Sequence, residues 1–180
     1  MRNSFRVALA AAGTIVLAGA FASPALAATD GSTDATVTVT GGELSITVPA
    51  TVALSDAAPG GTASGTVANT TVTDTRAGTD GWNVSYTVLA FSNTDLGESI
   101  PLANLTATPG SASATSGVGI FAAAAPTIGQ GSGAIFGATG VHGNNSATWD
   151  TSLALTIPAD GLAGVYSTTF IQSVTTDAVG

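Results

Sequence analysis

The stretch from Ala35 to Val48 decides the fold class. It reads Ala35-Thr36-Val37-Thr38-Val39-Thr40, then Gly41-Gly42, then Glu43-Leu44-Ser45-Ile46-Thr47-Val48. Apolar and polar residues alternate on both sides of the glycines, and a period of two is that of a half-buried β-strand. Adjacent glycines supply the positive φ angles of a two-residue hairpin turn. The stretch therefore predicts an antiparallel hairpin with Val39 opposite Leu44. A longer connection at the glycines, with the two strands in different sheets, fits the same residues.

Similar patterns recur along the chain, with turn residues such as Pro59-Gly60-Gly61 and Pro109-Gly110 between them. Residues 110–147 are mostly Gly, Ala, Ser and Thr, and we expect loops and two short edge strands there. The whole predicts an all-β fold, an antiparallel β-sandwich of about seven to nine strands. Beyond the first hairpin, the predicted strands are 51–54 (brief), 65–72, 82–91, 103–108, 152–157 and 165–174.

The N-terminus has the features of a secretory signal peptide. Arg2 and Arg6 precede an apolar run from Val7 to Phe21, and Ala25-Leu26-Ala27 forms a small-x-small cleavage site. The apolar run is shorter than the ~20 residues that cross a bilayer as a helix. We therefore expect residues 1–27 to be removed after export, leaving residues 28–180 as one extracellular domain with no membrane insertion.

The composition of residues 28–180 argues against nucleic acid as a partner. All eleven acidic residues lie in this part and Arg76 is its only basic residue, so its net charge is −10. Such a surface repels phosphate backbones and anionic lipid headgroups. The chain has no cysteine, so the fold rests on packing and strand pairing.

The residue types that carry most catalysis are scarce. Residues 28–180 contain one histidine and neither lysine nor cysteine, whereas catalysis usually draws on His, Lys, Cys or paired carboxylates. His142 lies in a Gly/Asn-rich stretch, where we expect a solvated loop. The sequence predicts neither an enzyme nor a cofactor.

The carboxylates do not form a convincing metal site. Asp74 and Asp80 are six residues apart with Arg76 between them, and calcium loops avoid an internal cation. We expect Arg76 to pair with Asp74 or Asp80 and fix this loop. The oxygen-rich run at Asn93, Asp95 and Glu98 predicts a solvated turn.

Each aromatic residue suggests a location. Trp82 and Tyr86 share the apolar face of a predicted strand, which favours the core over a ligand platform. Trp149 follows a Gly/Asn-rich stretch, and we expect it at the rim of the sandwich. Tyr166 is predicted to start the last strand, with its hydroxyl bonded to a neighbouring backbone group.

The order of several motifs resembles that of WxL-domain cell-surface proteins, over about residues 41–174. Two features depart from the family. Val84 replaces the leucine of the first Trp motif, and Gln172-Ser173-Val174 stands where the second Trp motif should fall. The matching segments are Gly42-Glu43-Leu44-Ser45-Ile46-Thr47-Val48-Pro49, Val72-Thr73-Asp74-Thr75-Arg76, Gly81-Trp82-Asn83-Val84, Leu153-Ala154-Leu155-Thr156-Ile157-Pro158-Ala159 after Trp149, and Gly164-Val165-Tyr166-Ser167-Thr168-Thr169.

The resemblance implies non-covalent attachment to the Gram-positive cell wall, through peptidoglycan or another wall glycan, and companion surface proteins as partners. On that basis Trp149 is the candidate residue for wall or partner binding. The alternative is a structural subunit of a surface layer or fibre that assembles by strand pairing, which unprotected sheet edges would permit. Sedimentation with purified walls, set against concentration-dependent self-assembly, separates the two hypotheses.

Overall fold

The computed structural model describes residues 30–177, and this part of the chain contains nine β-strands and no α-helix. A single 3-10 turn, Leu102–Asn104, precedes the sixth strand. The predicted signal peptide, residues 1–27, lies outside the described residues. The strands are β1 (Leu44–Thr47), β2 (Thr62–Asp74), β3 (Gly81–Val88), β4 (Phe91–Asn93), β5 (Glu98–Ile100), β6 (Leu105–Ala123), β7 (Thr127–Ile128), β8 (Ser132–Thr156) and β9 (Phe170–Asp177).

Seven strands form one antiparallel sheet around β8. The order is β1-β2-β8-β3-β9, and β6 pairs with both β8 and the short β7. Strand β6 follows one edge of β8 along most of its 25 residues. The opposite edge pairs with β3 over residues 132–138 and with β2 over residues 145–156. Strand β8 is therefore the element on which the rest of the sheet is assembled.

The sheet curls until its two ends nearly meet. Strand β1 lies beside β9, and Nη1 of Arg76 donates a 2.8 Å hydrogen bond to Oγ1 of Thr176 in β9. The predicted all-β antiparallel class is confirmed. The architecture differs from the expected sandwich, because one continuous, barrel-like sheet takes the place of two separate ones. Bulges in β6 and at the junctions with β2 and β3 supply the bending that this requires.

Strands β4 and β5 form a separate two-stranded sheet. Ser92 in β4 exchanges two backbone hydrogen bonds of 2.9 Å with Ser167, which holds this small sheet to the segment that precedes β9.

The predicted hairpin over residues 35–48 is wrong. Residues 35–40 do not form a strand, and β1 pairs with β2, with Leu44 opposite Asp74. Neither glycine of the pair has the positive φ that the hairpin turn needs. Both are used instead for close approach, because a Cβ atom on Gly41 would collide with the carbonyl oxygen of Arg76. The Gly42 amide donates a 2.7 Å hydrogen bond to the carbonyl of Thr75.

The loops expected over residues 110–147 are wrong as well. Strand β6 continues through Pro109-Gly110 to Ala123, and β8 already begins at Ser132. Four register shifts interrupt the β6–β8 ladder between Pro109 and Ile120. These bulges break the alternation of side chains, and most residues of β6 beyond Pro109 are exposed or half-buried. A strand of this kind leaves no period-two pattern in the sequence.

Other strands agree better with the sequence. Strand β3 buries Trp82, Val84, Tyr86 and Val88 and exposes the residues between them, as predicted. The alternating end of β8 stops at Thr156, two residues before Pro158. Residues 51–54 form no strand, and β9 begins at Phe170 instead of Val165.

The chain divides after Val37 into two units. In the first unit the described residues are 30–37, all of which are exposed and outside any strand. The second unit, from Thr38, holds all nine strands.

Four aromatic rings from three strands meet inside the sheet. Phe136 and Trp149 stack with centroids 4.3 Å apart, and Trp82 lies 6.2 Å from Phe136 and 6.4 Å from Trp149. Phe121 of β6 packs against Trp82 at 6.3 Å. Aromatic pairs at such distances add to the stabilisation from apolar burial.

Candidate functional site

A chain of buried polar groups runs from the loop after β2 into the core. The guanidinium of Arg76 donates to both carboxylate oxygens of Asp74, from Nε and Nη2 and at 2.9 Å each. Nδ2 of Asn145 donates to Oδ2 of Asp74 at 3.1 Å. Oδ1 of Asn145 accepts from Nε1 of Trp82 at 2.9 Å. Four side chains from β2, β3, β8 and a loop are therefore linked in sequence.

Arg76 also binds the backbone on the far side of its loop. Nη2 donates to the carbonyl oxygens of Asp80 and Gly81 at 3.1 and 3.2 Å. The expected pairing with Asp74 therefore forms, and the same guanidinium closes the loop around itself. The Arg76 guanidinium therefore holds both ends of this loop together.

The contacts between Asp74 and Arg76 favour the ionised carboxylate and the protonated guanidinium. Burial raises the pKa of the Asp74 carboxyl, but hydrogen bonds from the side chain and backbone of Arg76 and from Asn145 outweigh it and lower the pKa below its ordinary value. The hydrogen bond to Asp74 raises the pKa of Arg76 in turn. Since Asp74 is almost fully buried, its charge depends on these partners.

Trp149 lies inside the sheet, and its predicted location at the rim is wrong. It sits in the middle of β8, is completely buried, and stacks on Phe136. Its Nε1 is one of three buried side-chain polar atoms in the described part without a hydrogen-bond partner. The role in wall binding presupposed an exposed ring, so we assign no ligand contact to Trp149.

Tyr166 lies four residues before β9, so the prediction that it starts the last strand is also wrong. Its hydroxyl does donate to a backbone group, the carbonyl of Leu162, at 3.1 Å. The contact is local and closes a turn within the segment that leads to β9.

The two other polar sites singled out from the sequence differ in burial. His142 is exposed, although it stands in β8 and not in a loop. Asn93 is buried, and its Oδ1 accepts the backbone N–H groups of Asp95 and Leu96 at 3.0 and 3.1 Å. The expected turn between β4 and β5 therefore forms, with Asp95 and Glu98 exposed and Asn93 facing inward.

A groove of about 820 Å³ opens at one end of the sheet. Residues 48–59 form one wall, and residues 162–170 form the other. No strand covers residues 48–58 or 162–169. Its volume lies within the range of ~300–1,000 Å³ that is usual for ligand sites.

The floor of the groove is apolar, and its rim carries exposed aliphatic side chains. Val48, Val52, Leu162 and Val165 line it and remain exposed, Val165 by 85%. Gln172 of β9 adds a carboxamide whose Nε2 lies 3.4 Å from Oγ1 of Thr70. The buried floor residues are Ala63, Val67, Phe91, Ile100, Leu153 and Leu155.

The groove lies where the sheet fails to close. Strand β1 covers β2 only from Thr71 to Asp74, and β9 pairs along one edge with β3. Beyond β1, the backbone of Ser55 donates to the carbonyl of Ser64 at 2.8 Å, and residues between Val48 and Leu54 make no ladder with β2. Apart from Ser55 and Ser167, which pair with Ser64 and Ser92, residues 48–58 and 162–169 take part in no strand ladder and flank an apolar floor.

Sequence reasoning missed this groove. Its walls come from segments more than 100 residues apart in the chain, and the sequence predicted strands in both, over residues 51–54 and from Val165, where the structure has none. The available signal is the presence of large aliphatic residues in segments interrupted by Pro49, Pro59 and Gly164.

Among residues 30–177, no cluster of three or more His, Cys, Asp or Glu side chains could hold a metal ion. The same residues include no helix with the length and hydrophobicity to span a membrane. Comparison with protein-family models, with curated proteins and with solved structures finds no match for this chain.

Proposed function

We propose that this chain is an exported, non-catalytic surface protein that binds an extended polypeptide segment in its groove. In this role it is a structural subunit of a surface layer or fibre, assembled by strand pairing. The observation that carries the proposal is the apolar groove between two walls that contain no strand over residues 48–58 and 162–169. Addition of a strand to an open sheet edge gives affinity through backbone hydrogen bonds and specificity through alternate side chains.

The aromatic residues favour this proposal over glycan stacking. All aromatic side chains in the described part are buried or half-buried, and both tryptophans are completely buried. The exposed apolar groups of the groove rim are aliphatic, a chemistry suited to alternating aliphatic side chains of a peptide.

Peptide binding tests the proposal directly. A synthetic peptide of alternating isoleucine and serine should bind, and should slow amide hydrogen exchange in residues 48–58 and 162–172. Val165→Asp should abolish this protection because it places a charge on the rim. Val118→Asp is the matched control, since Val118 is also an exposed valine (62%) but lies on β6 and does not line the groove. Equal binding by both variants, or no binding by the parent, would contradict the proposal.

Association with peptidoglycan is a second proposal, supported by the resemblance to WxL-domain proteins. Sedimentation of the protein with purified Gram-positive walls tests it. If Val165→Asp still sediments like the parent, any wall contact lies outside the groove.

Export is part of the proposal and has its own test. Mass spectrometry of the protein from its natural source should give Ala28 as the N-terminal residue, in the extracellular or wall fraction. A species that retains Met1 in the membrane fraction would refute cleavage after Ala27.

A further inference from the structure

We propose that the groove of one copy of this protein receives residues 35–40 of a second copy as an added β-strand. Residues 35–40 are called the arm below. The inference rests on the proposed function and identifies the segment that fills the groove.

The arm has the pattern of a strand but does not belong to one. Ala35, Val37 and Val39 alternate with three threonines, residue types of which valine and threonine are enriched in strands. Val37 and Val39 are 88% and 81% exposed, and residues 30–43 contain no strand. The apolar face of the arm, which a β-strand would bury, is therefore in contact with solvent.

The exposed apolar residues point to the same pair of surfaces. Twelve large hydrophobic residues are exposed in the described part of the chain. Two of them lie on the arm, and four line the groove: Val48, Val52, Leu162 and Val165. Exposed apolar groups concentrated in this way indicate surfaces that become buried on association.

The apolar side chains and the charges of the two surfaces are compatible. In an extended strand Ala35, Val37 and Val39 face one way, into the apolar groove, and the threonines face water. The arm has no charged residue between Asp34 and Glu43. Asp56 is the one charged residue that lines the groove.

The arm does not fill the groove of its own chain. Val37 and Val39 are 88% and 81% exposed, and none of residues 35–40 lines the groove. The groove is therefore open to the arm of a second copy.

Such a contact joins two different surfaces, the arm of one copy and the groove of the next. A heterologous contact that does not close a ring produces an open filament. Each copy would then use its arm once and its groove once, so the assembly would grow from both ends.

Charge predicts how assembly responds to salt. Residues 28–180 carry a net charge of −10, so two copies repel each other. Salt screens that repulsion, and the apolar contact is retained. Self-association should therefore strengthen as sodium chloride rises from low to moderate concentration.

The test uses residues 28–180 and measures mass by light scattering at several concentrations. The parent should form oligomers. Val37→Asp/Val39→Asp should remain monomeric, and Thr36→Asp/Thr38→Asp, which adds the same charge to the other face, should still assemble. All of these residues are exposed, so melting temperatures should stay at the parental value and exclude misfolding as the cause.

Mixing two defective variants makes the test specific. Val37→Asp/Val39→Asp keeps a groove, and Val165→Asp keeps an arm. Neither should assemble alone, but together they should form one-to-one dimers that grow no further.

Three outcomes would overturn the inference. The first is a parent that stays monomeric at every salt concentration. The second is an equal effect of the valine pair and the threonine pair of aspartate substitutions on the measured mass. The third is faster hydrogen exchange in the groove of the monomeric valine variant than in a monomeric parent, which would place the arm in the groove of its own chain. Binding of the isoleucine–serine peptide by a chain that never self-associates would refute this inference alone. Loss of both properties would refute the proposed function as well.

Discussion

The indole Nε1 of Trp82 donates a 2.9 Å hydrogen bond to Oδ1 of Asn145, a residue 63 positions further along the chain. Trp149, whose ring lies 6.4 Å from that of Trp82, is just as buried, yet its own Nε1 has no partner. The two tryptophans thus share one core and differ in a single polar contact.

This difference predicts unequal effects of conservative substitution. Trp82→Phe should cost more stability than Trp149→Phe, by roughly 1–3 kcal/mol, because it leaves the buried Oδ1 of Asn145 without its donor. Urea unfolding of the two variants measures the difference. Equal losses would show that the hydrogen bond contributes no net stability.

Truncation of either tryptophan should be severe. Trp82→Ala and Trp149→Ala should each cost ~3–5 kcal/mol, since both rings are completely buried. Thermal melting checks the pair, with Thr87→Ala, exposed on β3, as a neutral control. A Trp149→Ala variant that melts like the Thr87→Ala control would argue against the buried position.

The Asp74–Arg76 pair predicts how stability depends on pH. The pKa of Asp74 is lower in the folded protein than in the unfolded chain. The stability from this group is therefore complete above the unfolded pKa, near 4, and is lost as the pH falls through the folded value. Asp74→Asn should be less stable than the parent at pH 7 and should lose less stability between about pH 4 and pH 2. An identical acid profile for the two proteins, from urea midpoints at each pH, would contradict this assignment.

Close packing at the start of the domain predicts a glycine requirement. Gly41→Ala should destabilise the domain, because its Cβ would collide with the carbonyl oxygen of Arg76. Gly31→Ala is the control, since a Cβ at that position meets no atom within 4 Å. Melting temperatures distinguish the two, and a Gly41→Ala variant as stable as the control would mean that residues 41–42 do not pack on the loop.

Calcium should have no effect on stability. Arg76 occupies the centre of the loop between Asp74 and Asp80 and binds both the Asp74 carboxylate and the Asp80 carbonyl. The melting temperature should be the same with Ca²⁺ and with EDTA. An increase of several degrees with Ca²⁺ would show that a binding site exists.

The strands that could be predicted are those that bury one face and whose apolar and polar residues alternate without interruption by a bulge. Strand β3 has its apolar residues at Trp82, Val84, Tyr86 and Val88, and the alternation is visible in the sequence. The Arg76 pairing was predictable because Arg76 is the only cation beyond residue 27 and has carboxylates two and four residues away.

The failures have physical causes. The alternating residues 35–40 carry a strand pattern without a strand, because pairing depends on a partner edge that the local sequence does not encode. Strand β6 has no alternation of apolar and polar residues beyond Pro109, because bulges interrupt its pairing and its side chains there are exposed or half-buried. The groove has walls from distant irregular segments, so only the folded chain brings them together.

The position of β9 in the sheet has a consequence for incomplete chains. Gly81 pairs with Asp177 and Val88 with Phe170, so the whole outer edge of β3 is covered by the final strand of the described chain. Any chain that stops before Phe170, through premature termination or proteolysis, leaves that edge bare and also lacks part of a groove wall. A bare edge beside a hydrophobic core promotes aggregation. Loss of β9 alone would therefore expose an edge of β3 while the other strands of the sheet keep their partners.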